Sequence, residues 1–211
     1  MSICPLCQQP NLLAFYKDKL REYQRCSHCQ LVSVPANYYL NATDEKAIYD
    51  KHQNNSDDLG YRKFLSRALG PILERVTQEA QGLDFGCGPG PTISVMAAEK
   101  GIRIENYDLY YCNEPNKLDN QYDFVICTEV IEHVADAKSL LETFARLLKP
   151  GGLLSIMTKR AGDLEAFRNW HYKGDPTHIN FYSTATFEWI AGHFDWTLEV
   201  IGNDVVLFTR N

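Results

Sequence analysis

The chain has no uninterrupted apolar run of the roughly 18 residues that a membrane helix needs, and its 211 residues hold only 21 Lys and Arg against 27 Asp and Glu. The first absence excludes an α-helical membrane span. The second, a formal net charge of −6, removes the broad positive field that draws nucleic acid to a whole surface. The opening residues Met1-Ser2-Ile3-Cys4-Pro5 lack a basic segment followed by an apolar one, so no secretory leader is expected and the cytoplasm is the expected compartment. There is no internal repeat and no low-complexity tract. No Gly-Lys-Ser/Thr follows a glycine-rich stretch, which excludes a P-loop.

Cysteine, by contrast, is abundant. There are 7, an odd number that argues against a complete disulfide framework. Four form two knuckles, Cys4-Pro5-Leu6-Cys7 and Cys26-Ser27-His28-Cys29, with residues 8–25 between them. That spacing suits a four-thiolate tetrahedral zinc site. Residues 1–33 are too few to build their own core, so a structural zinc ligated by Cys4, Cys7, Cys26 and Cys29 is expected to hold a ribbon-like module there. Cys87, Cys112 and Cys127 are scattered and read as ordinary small side chains. In the ribbon Lys17, Lys19, Arg21 and Arg25 outnumber Asp18 and Glu22, a bias too slight to identify a partner.

Residues 34–57, rich in Asn, Asp, Tyr and Lys, read as a linker with one short helix. Residues 58–211 read as the main domain. Leu65, Leu69, Ile72, Leu73 and Val76 fall on one helical face, and Gly70-Pro71 predicts a kink or a division of that helix. Strands are expected over 82–85, 102–107, 122–127 and 153–157, with helices over 91–100 and through Leu140, Leu141, Phe144, Leu147 and Leu148, the latter stopped by Pro150-Gly151-Gly152. Ser183 is a candidate cap for a last helix bearing Phe187, Ile190, Ala191 and Phe194. Strands over 196–201 and 205–209, joined by Gly202-Asn203-Asp204, form a hairpin. Alternating strands and helices predict an α/β fold, a mostly parallel sheet covered on both faces, with a C-terminal antiparallel hairpin.

In such a sheet, ligands lie beyond the C-terminal ends of the strands. The strand over 82–85 runs into Gly86-x-Gly88-x-Gly90 and then a helix, whose free N–H groups favour an anionic group. A dinucleotide fingerprint would need glycine where Pro91 stands. Asp108 closes the next strand, where an acid can accept hydrogen bonds from both ribose hydroxyls. The combination describes a ribose-bearing ligand with an anionic end and no pyrophosphate, and S-adenosylmethionine fits that description.

With these residues in place, the stretch over about residues 60–210 resembles the class I S-adenosylmethionine-dependent methyltransferases. The resemblance is carried by Leu83-Asp84-Phe85-Gly86-Cys87-Gly88-Pro89-Gly90, Tyr107-Asp108, Tyr122-Asp123-Phe124-Val125, Glu129-Val130-Ile131-Glu132-His133-Val134 and Leu148-Lys149-Pro150-Gly151-Gly152. It implies a Rossmann-like fold. It also implies that Asp84, Gly86, Cys87, Gly88 and Gly90 surround the methionine part of the cofactor, that Asp108 binds the ribose, and that Cys127, Thr128 and Glu129 line the sulfonium. Family members usually place a helix and a strand between the ribose acid and the next core strand. Residues 109–121 are too few for both, so that unit is shortened or missing, and Leu109 and Leu118 are candidates for the adenine contact.

Glu129, Glu132 and His133 stand at i, i+3, i+4 and, if helical, share one face. A second polar and aromatic segment, Trp170-His171-Tyr172-Lys173-Gly174-Asp175-Pro176-Thr177-His178, follows a later strand and is expected to cover an acceptor pocket. Three readings stay open. Glu129 and Glu132 cap the next helix while His133 packs against the cofactor. Alternatively His133 or His178, with Glu132, provides the base that deprotonates the acceptor. In the third, Glu129, Glu132, His133 and His178 bind a divalent metal that polarises an acceptor hydroxyl, a spelling similar to that of metal-dependent RNA 3′-end 2′-O-methyltransferases and ubiquinone-pathway O-methyltransferases. The expected activity is methyl transfer to an O, N or C atom, with a small-molecule acceptor favoured over RNA. A zinc-ribbon adaptor with a vestigial cofactor fold is the alternative; the intact glycine set and Asp108 favour the enzyme.

Overall fold

The computed structural model describes residues 3–52 and 54–211. At the N-terminus, β1 (Leu12–Lys17) and β2 (Glu22–Cys26) form an antiparallel hairpin, and β3 (Val32–Ser33) returns alongside β2. A 3-10 turn, Ala36–Tyr38, leads to α1 (Ala42–Tyr49), capped by the Asn41 side chain. Then α2 (Leu59–Leu73), β4 (Gln81–Phe85), α3 (Thr92–Ala98), β5 (Arg103–Tyr107) and β6 (Tyr122–Thr128) follow in order. The chain continues through α4 (Ala137–Leu147), β7 (Leu148–Met157), α5 (Leu164–Arg168) and β8 (Asn180–Phe181). It ends with α6 (Thr184–Phe194), β9 (Trp196–Ile201) and β10 (Val205–Arg210).

Six strands form the main sheet in the order β5-β4-β6-β7-β10-β9. The first four are parallel, and β10 runs antiparallel to both of its neighbours. Successive residues of the central strands serve two separate cores, because a strand's side chains alternate between faces. Val125, Cys127, Leu154 and Ile156 pack with Leu141 and Phe144 of α4 and Phe187 and Ile190 of α6. Phe124, Ile126, Leu153 and Met157 pack with Leu65, Leu69 and Ile72 of α2 and Ile93 and Ala97 of α3. Burial on both faces explains why these strands read as continuous apolar runs.

Between β5 and β6 lie only an Asp108–Cys112 bridge and a 3-10 turn, Pro115–Asp119. The shortened unit expected from the sequence is therefore a tight turn, and β5 is left as a sheet edge.

Two local expectations are corrected. Pro71 does not divide α2, which runs unbroken from Leu59 to Leu73. It sits in the last turn, where a proline removes one intrahelical bond, and Ser155 Oγ donates to the Ala68 carbonyl at 2.9 Å one turn away. Pro150-Gly151-Gly152 ends α4 but lies inside β7. The pairing jumps from Tyr122↔Leu148 to Phe124↔Leu153, so the extra residues form a bulge, with Gly151 at φ 75.

The N-terminal strands do not stand apart. β3 pairs with β8, placing Val32 opposite Phe181 and Ser33 opposite Asn180 in a four-stranded sheet β1-β2-β3-β8. Tyr23, Val32, Val34, Phe167, Tyr172 and Phe181 share one cluster beneath it.

Candidate functional site

Strand β4 delivers Asp84 to the head of the Gly-rich turn. Gly86 and Gly88 take φ 81 and 65, the left-handed region that glycine enters without strain. A Cβ at Gly86 would collide with the Val130 side chain, and one at Gly90 with the Asn54 carbonyl. Asp108, at the tip of β5, ties its strand to the turn: Oδ2 accepts from the Gly88 N–H at 3.0 Å, and Oδ1 from the N–H groups of Tyr110 and Tyr111 at 2.8 and 3.1 Å. Asp84 is buried, and its Oδ1 has no hydrogen-bond partner. Burial, and then the charge of Asp108, push its carboxyl up to about 7.

These groups open on a cavity of about 980 Å³, the size class of cofactor sites. Asp84, Gly86, Cys87, Gly88, Gly90, Asp108, Leu109, Thr128, Glu129, His133 and His178 all line it. Three expected residues do not: Glu132, which is fully buried, Cys127 and Leu118. Cys127 points into the core beside α4, and Leu118 packs against that same core. Of the two adenine candidates only Leu109 reaches the cavity, and it is 61% exposed.

The run from Glu129 to His133 is not an α-helix. The Glu129 N–H donates to the Met157 carbonyl at 2.8 Å, extending the β6 ladder, and the residue then turns through φ 52. Only Ile131–His133 is helical, as a 3-10 turn. Nor does either glutamate cap α4, whose N-cap is Asp136, accepting from the Ser139 N–H at 3.0 Å. The capping reading is therefore set aside. Glu132 is fully buried and bonds the hydroxyl of Tyr172 through Oε1, while Oε2 has no partner. The Tyr172 hydroxyl oxygen also lies 3.2 Å from Glu129 Oε2, so its one proton is shared between the two glutamates. Burial pushes Glu129 up to about 8, helped by the charge of Glu132, and pushes Glu132 up to about 7 against the pull of the Tyr172 bond.

His178 arrives from the 170–178 segment. Its Nδ1 lies 2.8 Å from the Tyr172 carbonyl, and Nδ1 of His133 lies 3.1 Å from the Thr177 carbonyl. Each carbonyl fixes its ring with the proton on Nδ1 and the lone pair on Nε2. The two rings meet edge to face at 4.7 Å. One ligand atom each from Glu132, His133 and His178 lies within 4.8 Å of the others. Burial lowers both imidazoles, His178 to about 4 with help from His133, so both are neutral near pH 7.

Several contributors had no sequence signal beyond composition. Segment 34–57 roofs the cavity with Glu45, Tyr49, Lys51, His52 and Asn54. Glu45 accepts from the hydroxyls of Tyr49 and Tyr110 at 2.7 and 3.1 Å, docking α1 onto the turn that replaces the missing unit. The tyrosines of that stretch, which a solvated linker would not need, were the available clue.

The four knuckle cysteines converge. Cys4 and Cys29 sulfurs lie 3.5 Å apart, as do those of Cys7 and Cys26, and all four fall within 4.8 Å. Zn–S bonds of about 2.3 Å in a tetrahedron put sulfurs about 3.8 Å apart, so the donor set fits zinc. Cys4, Cys26 and Cys29 are buried.

Comparison with known proteins bears on this geometry. A family model described as a methyltransferase domain matches residues 59–200. The ubiquinone biosynthesis O-methyltransferase of Klebsiella pneumoniae (strain 342) is 38% identical over 90 residues, 43% of this chain and 37% of that protein. The matched stretch thus spans well under half of that relative. In structure, the chain is similar to magnesium protoporphyrin IX methyltransferase from Synechocystis PCC 6803 with bound S-adenosylhomocysteine, at TM-score 0.55 and 18% identity over 81% of this chain and 95% of that one. Human N-acetylserotonin methyltransferase in complex with S-adenosylmethionine gives TM-score 0.53 and 15% identity over 74% of this chain and 55% of that one. At these identities the structural likeness establishes the fold.

Proposed function

The chain belongs to the methyltransferase domain family, and from that premise we propose that it transfers the methyl group of S-adenosylmethionine to a hydroxyl of a small acceptor. The observation that carries the reading is the convergence of the Gly-rich turn and Asp108 on one cavity that also holds the unpartnered Asp84 oxygen. The residues fit the cofactor. Asp84 offers a buried acceptor for its ammonium, the turn leaves room for its backbone-like end, and Asp108 Oδ2 keeps one lone pair for the ribose. When bound, the cofactor supplies an activated methyl on a sulfonium.

The chain's own work is then alignment, exclusion of water and handling of one proton. α1 and the Tyr49 ring, which meets His133 edge to face at 5.4 Å, shield the acceptor side. Neutral His178 and His133 are competent to receive the hydroxyl proton. A second reading is favoured by a specific observation: the unpartnered Glu132 Oε2 beside two neutral imidazoles. That donor set suits a divalent cation, which would acidify the hydroxyl. We expect His178→Ala to bind S-adenosylhomocysteine normally and to lose about 100-fold or more in turnover on a panel of hydroxylated aromatic acceptors. Manganese binding followed by electron paramagnetic resonance separates the two roles, since only the metal reading loses it in the same variant. Wild-type turnover by His178→Ala would remove that residue from both.

Asp84 gives a pH signature. Its folded pKa is raised to about 7, so its contribution to the stability of the empty protein is present in acid and is lost as pH rises through 7. Pairing with the ammonium needs the ionised form. Affinity for S-adenosylhomocysteine is therefore expected to fall by up to about tenfold per pH unit below 7, with proton uptake by the buffer on binding. Calorimetry in buffers of different ionisation heat checks this. A pH-independent affinity between pH 6 and 8 would remove Asp84 from the ammonium site.

A further inference from the structure

The ribbon reaches the acceptor wall through one side chain. Arg21 sits at the turn between β1 and β2 and is 7% exposed. Its guanidinium donates to the carbonyls of Asp175 at 2.9 Å, Pro176 at 3.3 Å and His178 at 2.9 Å, and to that of Lys173. Among the described residues no carboxylate pairs with it. The ribbon holds Arg21 from its own side. Asp18 Oδ1 accepts from the N–H groups of Leu20 and Arg21, both at 2.8 Å, and Oδ2 accepts from the Tyr23 hydroxyl at 2.9 Å.

We propose that Arg21 is a positioning residue that fixes the backbone of residues 173–178 and thereby orients His178 at the acceptor site. The proposal rests on the reading of His178 as an acceptor-side group. This stretch begins in a 3-10 turn, His171–Gly174, and lies outside any strand until β8. Its carbonyls point inward, and the planar five-donor fork of arginine can serve four of them at once. A lysine ammonium at one point cannot. The bond that sets the His178 ring, Nδ1 to the Tyr172 carbonyl, joins the last residue of the clamped segment to the residue just before its first. The next residue is fixed from both sides: the Ile179 carbonyl accepts from the Val34 N–H of the ribbon at 3.0 Å, and the Ile179 N–H donates to the Glu132 carbonyl at 2.8 Å. The cysteine module thus supplies a fixed abutment for the acceptor wall, and Arg21 is its point of application.

The test uses the full, zinc-loaded chain as wild type, Arg21→Lys and Arg21→Ala. Amides of residues 171–181 are expected to exchange at least about tenfold faster in both variants, the loss that charge-assisted bonds to carbonyls imply. Strands β4 and β6 keep wild-type protection, and zinc content stays the same. Nitrogen-detected imidazole spectra should show the His178 ring passing from the single Nδ1–H tautomer to a mixture, while His133 keeps its own. Added guanidinium should restore the single tautomer in Arg21→Ala. S-Adenosylhomocysteine affinity should stay within about twofold, since the cofactor half of the site is separate. An unchanged His178 signal in Arg21→Ala, full function of Arg21→Lys by these measures, or uniform loss of protection across the main sheet would each overturn the proposal. Failure of the wild type to bind S-adenosylhomocysteine would instead sink the cofactor reading, and the imidazole result would still decide the role of Arg21.

Discussion

Asp108→Ala is expected to weaken binding of S-adenosylhomocysteine by about one to two orders of magnitude. On the proposed reading, a ribose hydroxyl would donate to the Asp108 carboxylate at the end of β5. A hydrogen bond to a charged acceptor contributes about 1.5–3 kcal/mol, and Asp108 has one lone pair left beside its three N–H donors, so losing that bond costs about 1.5–3 kcal/mol, at about 1.4 kcal/mol per factor of ten. The substitution has a second consequence, because Asp108 also receives the N–H groups of Gly88, Tyr110 and Tyr111. Without that acceptor the Gly-rich turn loses its tie to β5, and the turn to which α1 docks loses its anchor. Asp108→Asn separates the effects: it keeps one acceptor oxygen and the shape while discarding the charge, and should fall between wild type and Ala. Isothermal titration reads the affinity, and a thermal melt reports the structural part. Unaltered affinity in Asp108→Ala would place the ribose elsewhere.

The sequence exposed the parts of the molecule that obey a period or a local rule. The apolar runs of β6 and β7 are legible because both faces are buried, and the Gly-rich turn because its φ values and close contacts admit little else. The acid at 108 is legible because strand order puts it beside the turn. The two cysteine knuckles are legible because four thiols at that spacing have few other uses. What stayed hidden depends on distant partners. The spacing of Glu129, Glu132 and His133 suggested a helical face, but the pairing of the Glu129 N–H with Met157 holds the backbone in the sheet for one residue more. Glu132 and His133 still meet His178, by a route that periodicity does not encode. Segment 34–57 has almost no helical amphipathicity to read, since α1 buries no residue and is held by tyrosine–carboxylate bonds. Arg21 looked like one cation in a mildly basic hairpin, and only tertiary packing puts it against the carbonyls of residues 173–178.

Removing zinc from the site proposed at the four cysteines, by a strong chelator or by Cys26→Ser, is expected to lower the melting temperature by about 6–20 °C and to open the ribbon together with the acceptor wall. Structural zinc contributes roughly 10–16 kcal/mol to folding in isolated zinc-finger peptides, as much as the whole stability of a typical domain. The ribbon has other support, so only part of that is at stake: Leu6 and Leu31 are buried with the thiols, β3 pairs with β8, Tyr23 and Val32 pack against Phe167 and Phe181, Lys138 N–H donates to the Pro5 carbonyl at 3.0 Å, and Trp189 Nε1 donates to His28 Nε2 at 3.1 Å. Without metal, four sulfurs remain crowded in a buried site with no shared counter-charge. The two parallel cores around the main sheet contain no second metal cluster of this kind among the described residues, so they should survive. A net loss of about 3–5 kcal/mol, at about 2–4 °C per kcal/mol for a chain of this size, gives the stated shift. The pattern of the damage matters more than its size. Residues 3–34 should lose amide protection, and residues 171–181 should follow because Arg21 and β3 no longer hold them. The Gly-rich turn, which is tied to β5 through Asp108, should go on binding S-adenosylhomocysteine. The metal-free chain would then hold its cofactor and fail on acceptor. Protein purified without added zinc that contains almost no metal and melts like the zinc-loaded form would overturn the metal, and with it the idea that the ribbon braces the site.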